Sequence, residues 1–169
     1  MSDHDLGEVA RRVGDLLRAR GWRLAVAESC TGGWLAKVIT DIPGSSQWFE
    51  CGFVVYSNDA KVELLGVSPE TLAAHGAVSE AVARELAAGA LARSSAQIAV
   101  AITGIAGPDG GTPDKPVGTV WIAIAVKDVP VECRCRLFPG DRDAVRRAAV
   151  RAALNDLLRM QSEAHGGSR

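Results

Sequence analysis

The chain has 169 residues, of which 47% are hydrophobic and 23% are charged, and its formal net charge is −1 at pH 7. This length suits a single domain with a substantial core, while the near-zero charge lacks the basic field of a nucleic-acid-binding protein. The polar, acidic first residues do not resemble a signal peptide, and the longest apolar run, near 117–126, is too short to span a bilayer. We therefore expect a cytoplasmic protein whose partners include neither nucleic acid nor a membrane.

Hydrophobic periodicity and turn residues predict alternating helices and strands through the first hundred residues. Apolar residues at helical spacing, with Ser2 and Asp5 placed as a capping box, predict a first helix that ends near Gly21. The elements predicted next are a strand at 22–27, a helix at 31–40, a loop at 43–46, a strand at 49–56, a short helix at 58–65, a helix from Pro69, a helix at 80–92 and a strand at 97–103.

The remaining residues predict a loop, a hairpin and a last helix. Residues 104–116 contain four glycines and three prolines, which exclude the interior of a helix or sheet. Strands at 117–126 and 131–138 form a hairpin, and an amphipathic helix precedes a flexible tail at 163–169. We predict an α/β fold, a three-layer α/β/α sandwich with a mixed sheet, formed by one domain over 1–162.

A hydroxyl, a phenol and an amine follow two of the predicted strands. Ser29 lies in a strand-to-helix turn, and Tyr56 and Lys61 follow the next strand, so all three reach the sheet edge where doubly wound folds bind ligands. A lysine whose pKa is lowered by burial can take the proton of a serine nucleophile. The set predicts covalent amide hydrolysis, although a lysine at this place, taken singly, is more often a solvated helix residue.

The cysteines give weaker evidence of a functional site. Cys133 and Cys135 lack the spacing of a zinc or redox site, so we expect buried or half-buried free thiols, and we predict no metal and no cofactor. Cys30 is the alternative nucleophile beside Ser29. A cysteine nucleophile needs a histidine base, and none of the three histidines stands in a comparable turn, so Ser29 is favoured.

Two glycine-rich turns follow strands and offer backbone N–H groups to an anion, although neither matches a phosphate-binding loop or a dinucleotide fingerprint. The candidate binding residues are Cys30, Thr31, Gly32 and Gly33 in the first turn and Thr103, Gly104, Ile105, Ala106 and Gly107 in the second, together with Arg142 as a partner for a phosphate.

Two further predictions concern charged residues near these turns. Arg146, Arg147 and Arg151 are expected to form a solvated helix face. Glu28 either orients the lysine or accepts backbone N–H groups at the start of a helix, and we favour the structural role.

Several motifs occur together in this chain: Ala-Glu-Ser-Cys-Thr-Gly-Gly at 27–33, Gly-Phe-Val-Val-Tyr-Ser-Asn-Asp-Ala-Lys at 52–61, His-Gly-Ala-Val-Ser at 75–79, Thr-Gly-Ile-Ala-Gly-Pro-Asp-Gly-Gly at 103–111, Lys-Pro-Val-Gly-Thr-Val-Trp at 115–121 and Phe-Pro-Gly-Asp-Arg at 138–142. In this order they resemble the C-terminal domain family of the competence/damage-inducible protein CinA, over about residues 5 to 160. The N-terminal domain of full-length CinA is not matched, so its pyrophosphatase chemistry is not expected here.

The resemblance implies hydrolysis of the carboxamide of nicotinamide mononucleotide to nicotinate mononucleotide and ammonia, without a metal. It assigns the nucleophile to Ser29 and carries the family's tyrosine and lysine onto Tyr56 and Lys61; N–H groups near 30–33 would hold the oxyanion. The rival hypotheses are a non-catalytic module in competence or damage response and an amidase for another nucleotide or amide. Trp34 and Trp48, expected to be exposed, favour a homodimer.

Overall fold

The computed structural model describes residues 2–163, which form one domain of six helices and five strands. A short 3-10 helix at Ser45–Gln47 is the remaining regular element in this range. The elements in chain order are α1 (Asp3–Arg20), β1 (Leu24–Glu28), α2 (Trp34–Thr40), β2 (Phe49–Val54), α3 (Asn58–Leu65), α4 (Pro69–His75), α5 (Glu80–Ala92), β3 (Ile98–Gly104), β4 (Thr119–Val126), β5 (Glu132–Leu137) and α6 (Arg142–Glu163).

These bounds confirm the predicted element order, with small shifts at the ends. α2 begins at Trp34, three residues later than predicted, because Gly32 and Gly33 adopt left-handed backbone angles (φ 58° and 100°) that extend the turn after β1. α6 extends to Glu163, and the rest of the predicted tail, 164–169, lies outside the described residues.

The sheet has the order β2-β1-β3-β4-β5. β1 pairs in parallel with β2 and β3, whereas β4 and β5 are antiparallel to their neighbours, so the predicted mixed sheet is confirmed. In register, Glu28 at the end of β1 stands beside Val54 of β2 and Ile102 of β3. The residues that follow these three strands therefore meet at one edge of the sheet.

Helices cover both faces of the sheet, as expected for a three-layer sandwich. On one face α1, α2 and α6 bury apolar residues such as Leu6, Leu35 and Leu154 against the strands. On the other face α3 and α5 contribute Leu65 and Leu86 to a second, alanine-rich core. β1 is buried along its whole length because it lies between β2 and β3 under both helical layers. None of the described helices is long and apolar enough to cross a membrane.

The tryptophans are not exposed, contrary to the prediction. Trp48 is 2% exposed and packs against α1 at Gly14, where an added Cβ would stand 2.5 Å from the indole ring. Trp34 is half-buried beneath the guanidinium groups of Arg146 and Arg147, at 5.3 and 4.8 Å from its ring centroid. The exposed-aromatic argument for a homodimer is therefore wrong, and the homodimer stays a prediction without that support.

The two strand cysteines differ from one another. Cys133 is half-buried, as predicted, and its pKa is raised to about 11 by burial against the α5 side of the sheet. Cys135 is exposed, so the prediction that it is at least half-buried is wrong. It lies in the second half of edge strand β5, where three of the last four residues are exposed.

Candidate active site

A cavity of about 200 Å³ lies at the sheet edge where β1, β2 and β3 end. It brings together the hydroxyl of Ser29, the phenol of Tyr56, the amine of Lys61 and the guanidinium of Arg142. The other residues that line it are Cys30, Asn58, Ala77, Val78, Thr103, Gly104 and Ala106. The three candidate catalytic residues therefore share one cavity, as the order of the strands predicts.

Lys61 is a buried amine. Ser57 begins α3 by accepting the N–H of Ala60 at 3.0 Å, and this short helix carries Lys61 inward until only 1% of it is exposed. Its Nζ donates to the backbone carbonyls of Tyr56 at 2.8 Å and Ser57 at 3.5 Å. Burial lowers the pKa of the amine because the charged form loses water. The alternative interpretation, a solvated lysine, is wrong.

Tyr56 occupies the mouth of the cavity and is 64% exposed. Its phenol oxygen accepts a long hydrogen bond of 3.5 Å from Arg142, and its backbone carbonyl holds Lys61. Within residues 2–163 no hydrogen bond joins the phenol to the lysine amine, or the Ser29 hydroxyl to either group. The tyrosine therefore positions the lysine through its main chain in this structure.

Glu28 takes the structural role. Its carboxylate is fully buried and accepts hydrogen bonds from the Thr31 hydroxyl at 2.7 Å and from the N–H groups of Leu35 and Ala36 at 2.9 and 3.0 Å. These donors belong to the turn and to the first residues of α2, so the carboxylate satisfies helix N–H groups that would otherwise be unpaired. The turn that presents Ser29 is thereby tied to α2.

Arg146 is not part of a solvated face, and the prediction for this residue is wrong. Its Nε donates to the carbonyl of Cys30 at 3.0 Å, and a terminal nitrogen donates to that of Thr31 at 3.2 Å. The guanidinium also stacks on Trp34. It lies one helical turn after Arg142 in α6, and its guanidinium covers Trp34 at the start of α2.

The glycine-rich turns line the cavity only in part. Cys30, Thr103, Gly104 and Ala106 reach it, whereas Thr31, Gly32, Gly33, Ile105 and Gly107 are not among the described residues that line it.

The hydrogen bonds of the remaining turn residues explain why the N–H groups of two of them, Gly32 and Ile105, cannot serve an anion. The N–H of Gly32 donates to Ser29, and that of Ile105 donates to Thr119. The carbonyl of Gly107 accepts a hydrogen bond from Arg142 at 2.8 Å. The sequence analysis missed Asn58, Ala77 and Val78. Asn58 stands between Tyr56 and Lys61, which is a local signal, but nothing local connects 77–78 with this edge.

The two candidate nucleophiles differ in their chemistry. Cys30 is 7% exposed, and burial raises the pKa of its thiol to about 11, so the reactive thiolate is scarce at neutral pH. Ser29 is 8% exposed and lines the same cavity as the buried amine. This comparison favours Ser29. Among residues 2–163, no three His, Cys, Asp or Glu side chains lie close enough together to hold a metal ion.

The clamp formed by Arg146 yields a first prediction. Arg146→Lys keeps the charge but loses the planar fork that reaches two carbonyls, so the turn that carries Ser29 should loosen. We expect kcat for amide hydrolysis to fall on the order of 10-fold to 100-fold, with a much smaller change in KM. Steady-state kinetics of Arg151→Lys provide the control, since within the described chain Arg151 of α6 forms no side-chain hydrogen bond. Equal kinetics for Arg146→Lys and the native protein would contradict the clamp.

The chain is similar to known proteins along most of its length. The sequence profile of the CinA C-terminal domain matches residues 6–161. The chain is 58% identical over 157 residues to nicotinamide-nucleotide amidohydrolase PncC of Escherichia coli (strain K12), covering 93% of this chain and 95% of that protein. It is 50% identical over 155 residues to the protein of the same name from Pseudomonas putida, covering 92% and 96%.

Solved structures of proteins from the same family have the same fold as this chain. The crystal structure of a competence-damaged protein (CinA) superfamily protein from Klebsiella pneumoniae matches with a TM-score of 0.90 and 42% identity, covering 94% of this chain and 98% of that one. A competence/damage inducible protein from Agrobacterium tumefaciens matches with a TM-score of 0.89 and 45% identity, covering 94% and 95%. The family profile, the sequence relatives and the shared fold lead to one conclusion: this chain belongs to the CinA C-terminal domain family.

Proposed function

We propose that this chain is an amidohydrolase that converts nicotinamide mononucleotide into nicotinate mononucleotide and ammonia. The observation that carries the proposal is the buried amine of Lys61 in one small cavity with the hydroxyl of Ser29. The names of the E. coli and P. putida relatives, both nicotinamide-nucleotide amidohydrolases at 50% identity or more, support this substrate class. The activity is assigned to the domain at 1–162, and its location to the cytoplasm.

The proposed reaction proceeds through an acyl-enzyme. Neutral Lys61 takes the proton of Ser29 as the serine oxygen attacks the carboxamide carbon, with Tyr56 in the same cavity to assist. The C–N bond then breaks, and the protonated lysine returns the proton to the leaving nitrogen, which departs as ammonia. Water, deprotonated by the same amine, hydrolyses the ester and regenerates Ser29.

The N–H of Cys30 is the proposed donor to the oxyanion. It follows the nucleophile directly, Cys30 lines the cavity, and within the described residues this N–H donates to no backbone carbonyl. By contrast, the neighbouring N–H of Gly32 already donates to Ser29. A donor held in place before the reaction stabilises developing charge without reorganisation.

The shape and charge of the cavity suit part of a nucleotide. Its volume of about 200 Å³ is below the roughly 300–1,000 Å³ of pockets that enclose a whole ligand. We propose that the pyridine ring enters and that the ribose phosphate stays at the mouth, near Arg142. The described lining residues include no carboxylate, while the guanidinium of Arg142 is positively charged, which favours an anionic substrate.

The two rival hypotheses account for less of this geometry. A non-catalytic binding module does not explain why an amine is buried beside a hydroxyl. An amidase for another nucleotide would use the same groups, and it is tested by comparing substrates in the ammonia assay that follows.

Purified protein should release ammonia from nicotinamide mononucleotide, and EDTA should leave the rate unchanged because the Ser29 and Lys61 chemistry requires no metal. Ser29→Ala should abolish turnover, whereas Cys30→Ala, which keeps a small apolar side chain in the turn, should retain most of it. Coupled ammonia detection provides the rate. Loss of activity in Cys30→Ala with activity preserved in Ser29→Ala would move the nucleophile to Cys30; loss on chelation would indicate a metal.

The pH dependence tests Lys61 as the base. Burial holds the pKa of Lys61 below its usual value of 10.5, and the amine is neutral above that lowered pKa. We therefore expect kcat/KM to rise as the pH increases through the lowered pKa. Lys61→Arg should lose roughly 10³-fold or more in kcat, because a guanidinium keeps its proton and cannot accept another. The double variant Ser29→Ala/Lys61→Ala should be little worse than either single variant. Robust activity in Lys61→Arg would refute a proton-accepting role.

A further inference from the structure

Residues 76–78, which connect α4 to the start of α5, form one side of the active cavity, and we call them the cavity wall. Ala77 and Val78 line the cavity together with Ser29 and Lys61, and they belong to no helix or strand. The helix before the cavity wall gives it little support, since no residue of α4 is buried. The position of the cavity wall therefore depends on its own hydrogen bonds.

Three consecutive backbone carbonyls at the cavity wall accept hydrogen bonds from side chains of three different segments. The carbonyls of residues 75, 76 and 77 accept, in this order, the Lys115 amine at 2.6 Å, the Ser79 hydroxyl at 2.8 Å and the Thr103 hydroxyl at 2.9 Å. Within residues 2–163, the backbone of 77–78 forms no hydrogen bond with another backbone group. Side-chain donors therefore provide the hydrogen bonds that hold the cavity wall.

Ser79 connects the cavity wall to a buried helix. It is 8% exposed, and its Oγ accepts the N–H of Val82 at 3.2 Å as the N-cap of α5 while it donates to the carbonyl of Gly76. Gly76 has φ 75° and ψ 166°, a combination that is almost exclusive to glycine. Because glycine also has many other conformations open to it, the bond from Ser79 selects one orientation of the Gly76–Ala77 peptide.

We propose that Ser79 is a positioning residue for the reaction: its hydrogen bond to Gly76 holds the cavity wall against which the pyridine ring lies. Ser79 is not among the lining residues, so it acts through Ala77 and Val78 without touching the substrate. When this bond is lost, the ring loses a fixed support, and the carboxamide is less often in line with Ser29. This proposal rests on the amidohydrolase function of the cavity.

Substitutions of Ser79 separate this hydrogen bond from the capping of α5. Ser79→Thr keeps both the donor and the acceptor. Ser79→Asp and Ser79→Gly leave a residue that helices accept well at the N-cap, but neither a carboxylate nor a glycine has a side-chain proton to donate to Gly76. Thermal unfolding reports the capping, coupled ammonia detection gives kcat and KM for nicotinamide mononucleotide, and amide hydrogen exchange at 76–78 reports the cavity wall itself.

We expect Ser79→Thr to match the native protein in all three measurements. Ser79→Asp and Ser79→Gly should keep Tm within about 5 °C of the native value, yet lose about 10-fold in kcat/KM and exchange faster at 76–78. Ser68→Gly is the matched control, because the Ser68 hydroxyl caps α4 by accepting the N–H of Thr71 at 3.3 Å and forms no bond to the cavity wall. It should keep the native kcat/KM and the native exchange at 76–78.

A role in capping alone predicts native kcat/KM in both Ser79→Asp and Ser79→Gly. Native kcat/KM in Ser79→Gly would overturn the positioning role whatever Ser79→Asp shows, because glycine removes the donor without adding a charge. That result would leave the amidohydrolase function intact. Failure of the native protein to release ammonia from nicotinamide mononucleotide would instead overturn the proposed function, and this inference with it.

Discussion

The burial of Lys61 without a carboxylate partner is the constraint on which the site depends. Its amine is 1% exposed and donates to two backbone carbonyls, and no salt bridge to it is found in the part of the chain that the structure describes. Carbonyl oxygens satisfy N–H donors but do not neutralise a full charge, so burial favours the neutral amine. An amine of this kind has a free electron pair at a pH where an exposed lysine has none.

The same burial costs stability, and the sign follows from proton binding. The pKa of Lys61 is lower in the folded chain than its usual value of 10.5, so between these two pKa values the unfolded chain binds more protons than the folded one. Stability therefore rises with pH across this window and falls as pH drops through it. The burial of Lys61 that favours its neutral amine therefore also lowers the stability of the fold.

The elements around Lys61 bring the Ser29 hydroxyl into the same cavity by fixing one turn from two sides. The carboxylate of Glu28 binds the start of α2, and Arg146 of α6 binds the carbonyls of Cys30 and Thr31. The turn therefore depends on the helical layer behind it as well as on the strands. A substitution in α6 can alter the position of Ser29 without touching the substrate.

The features that depend on neighbouring residues were predictable from the sequence. Ser29, Tyr56 and Lys61 each follow a strand, and parallel strand order alone brings them to one edge, while Ser57 marks the start of α3. Features that depend on packing between distant segments were not predictable.

Arg146 reaches a turn 116 residues away, and Trp48 is buried because α1 has a glycine opposite it. Neither fact leaves a local trace, which is why the tryptophans were predicted to be exposed and Arg146 was predicted to be solvated.

The central claim is that Lys61 is a neutral base at working pH, and a direct titration of its side chain tests it. The chain has four lysines, at 37, 61, 115 and 127, so the side-chain carbon resonances of ¹³C-labelled lysine form a short, assignable set. Lys61→Met identifies the Lys61 signal by its loss. The account predicts that Lys61 titrates clearly below 10.5, the usual value for a lysine amine. A Lys61 signal that titrates at or above 10.5 would contradict it.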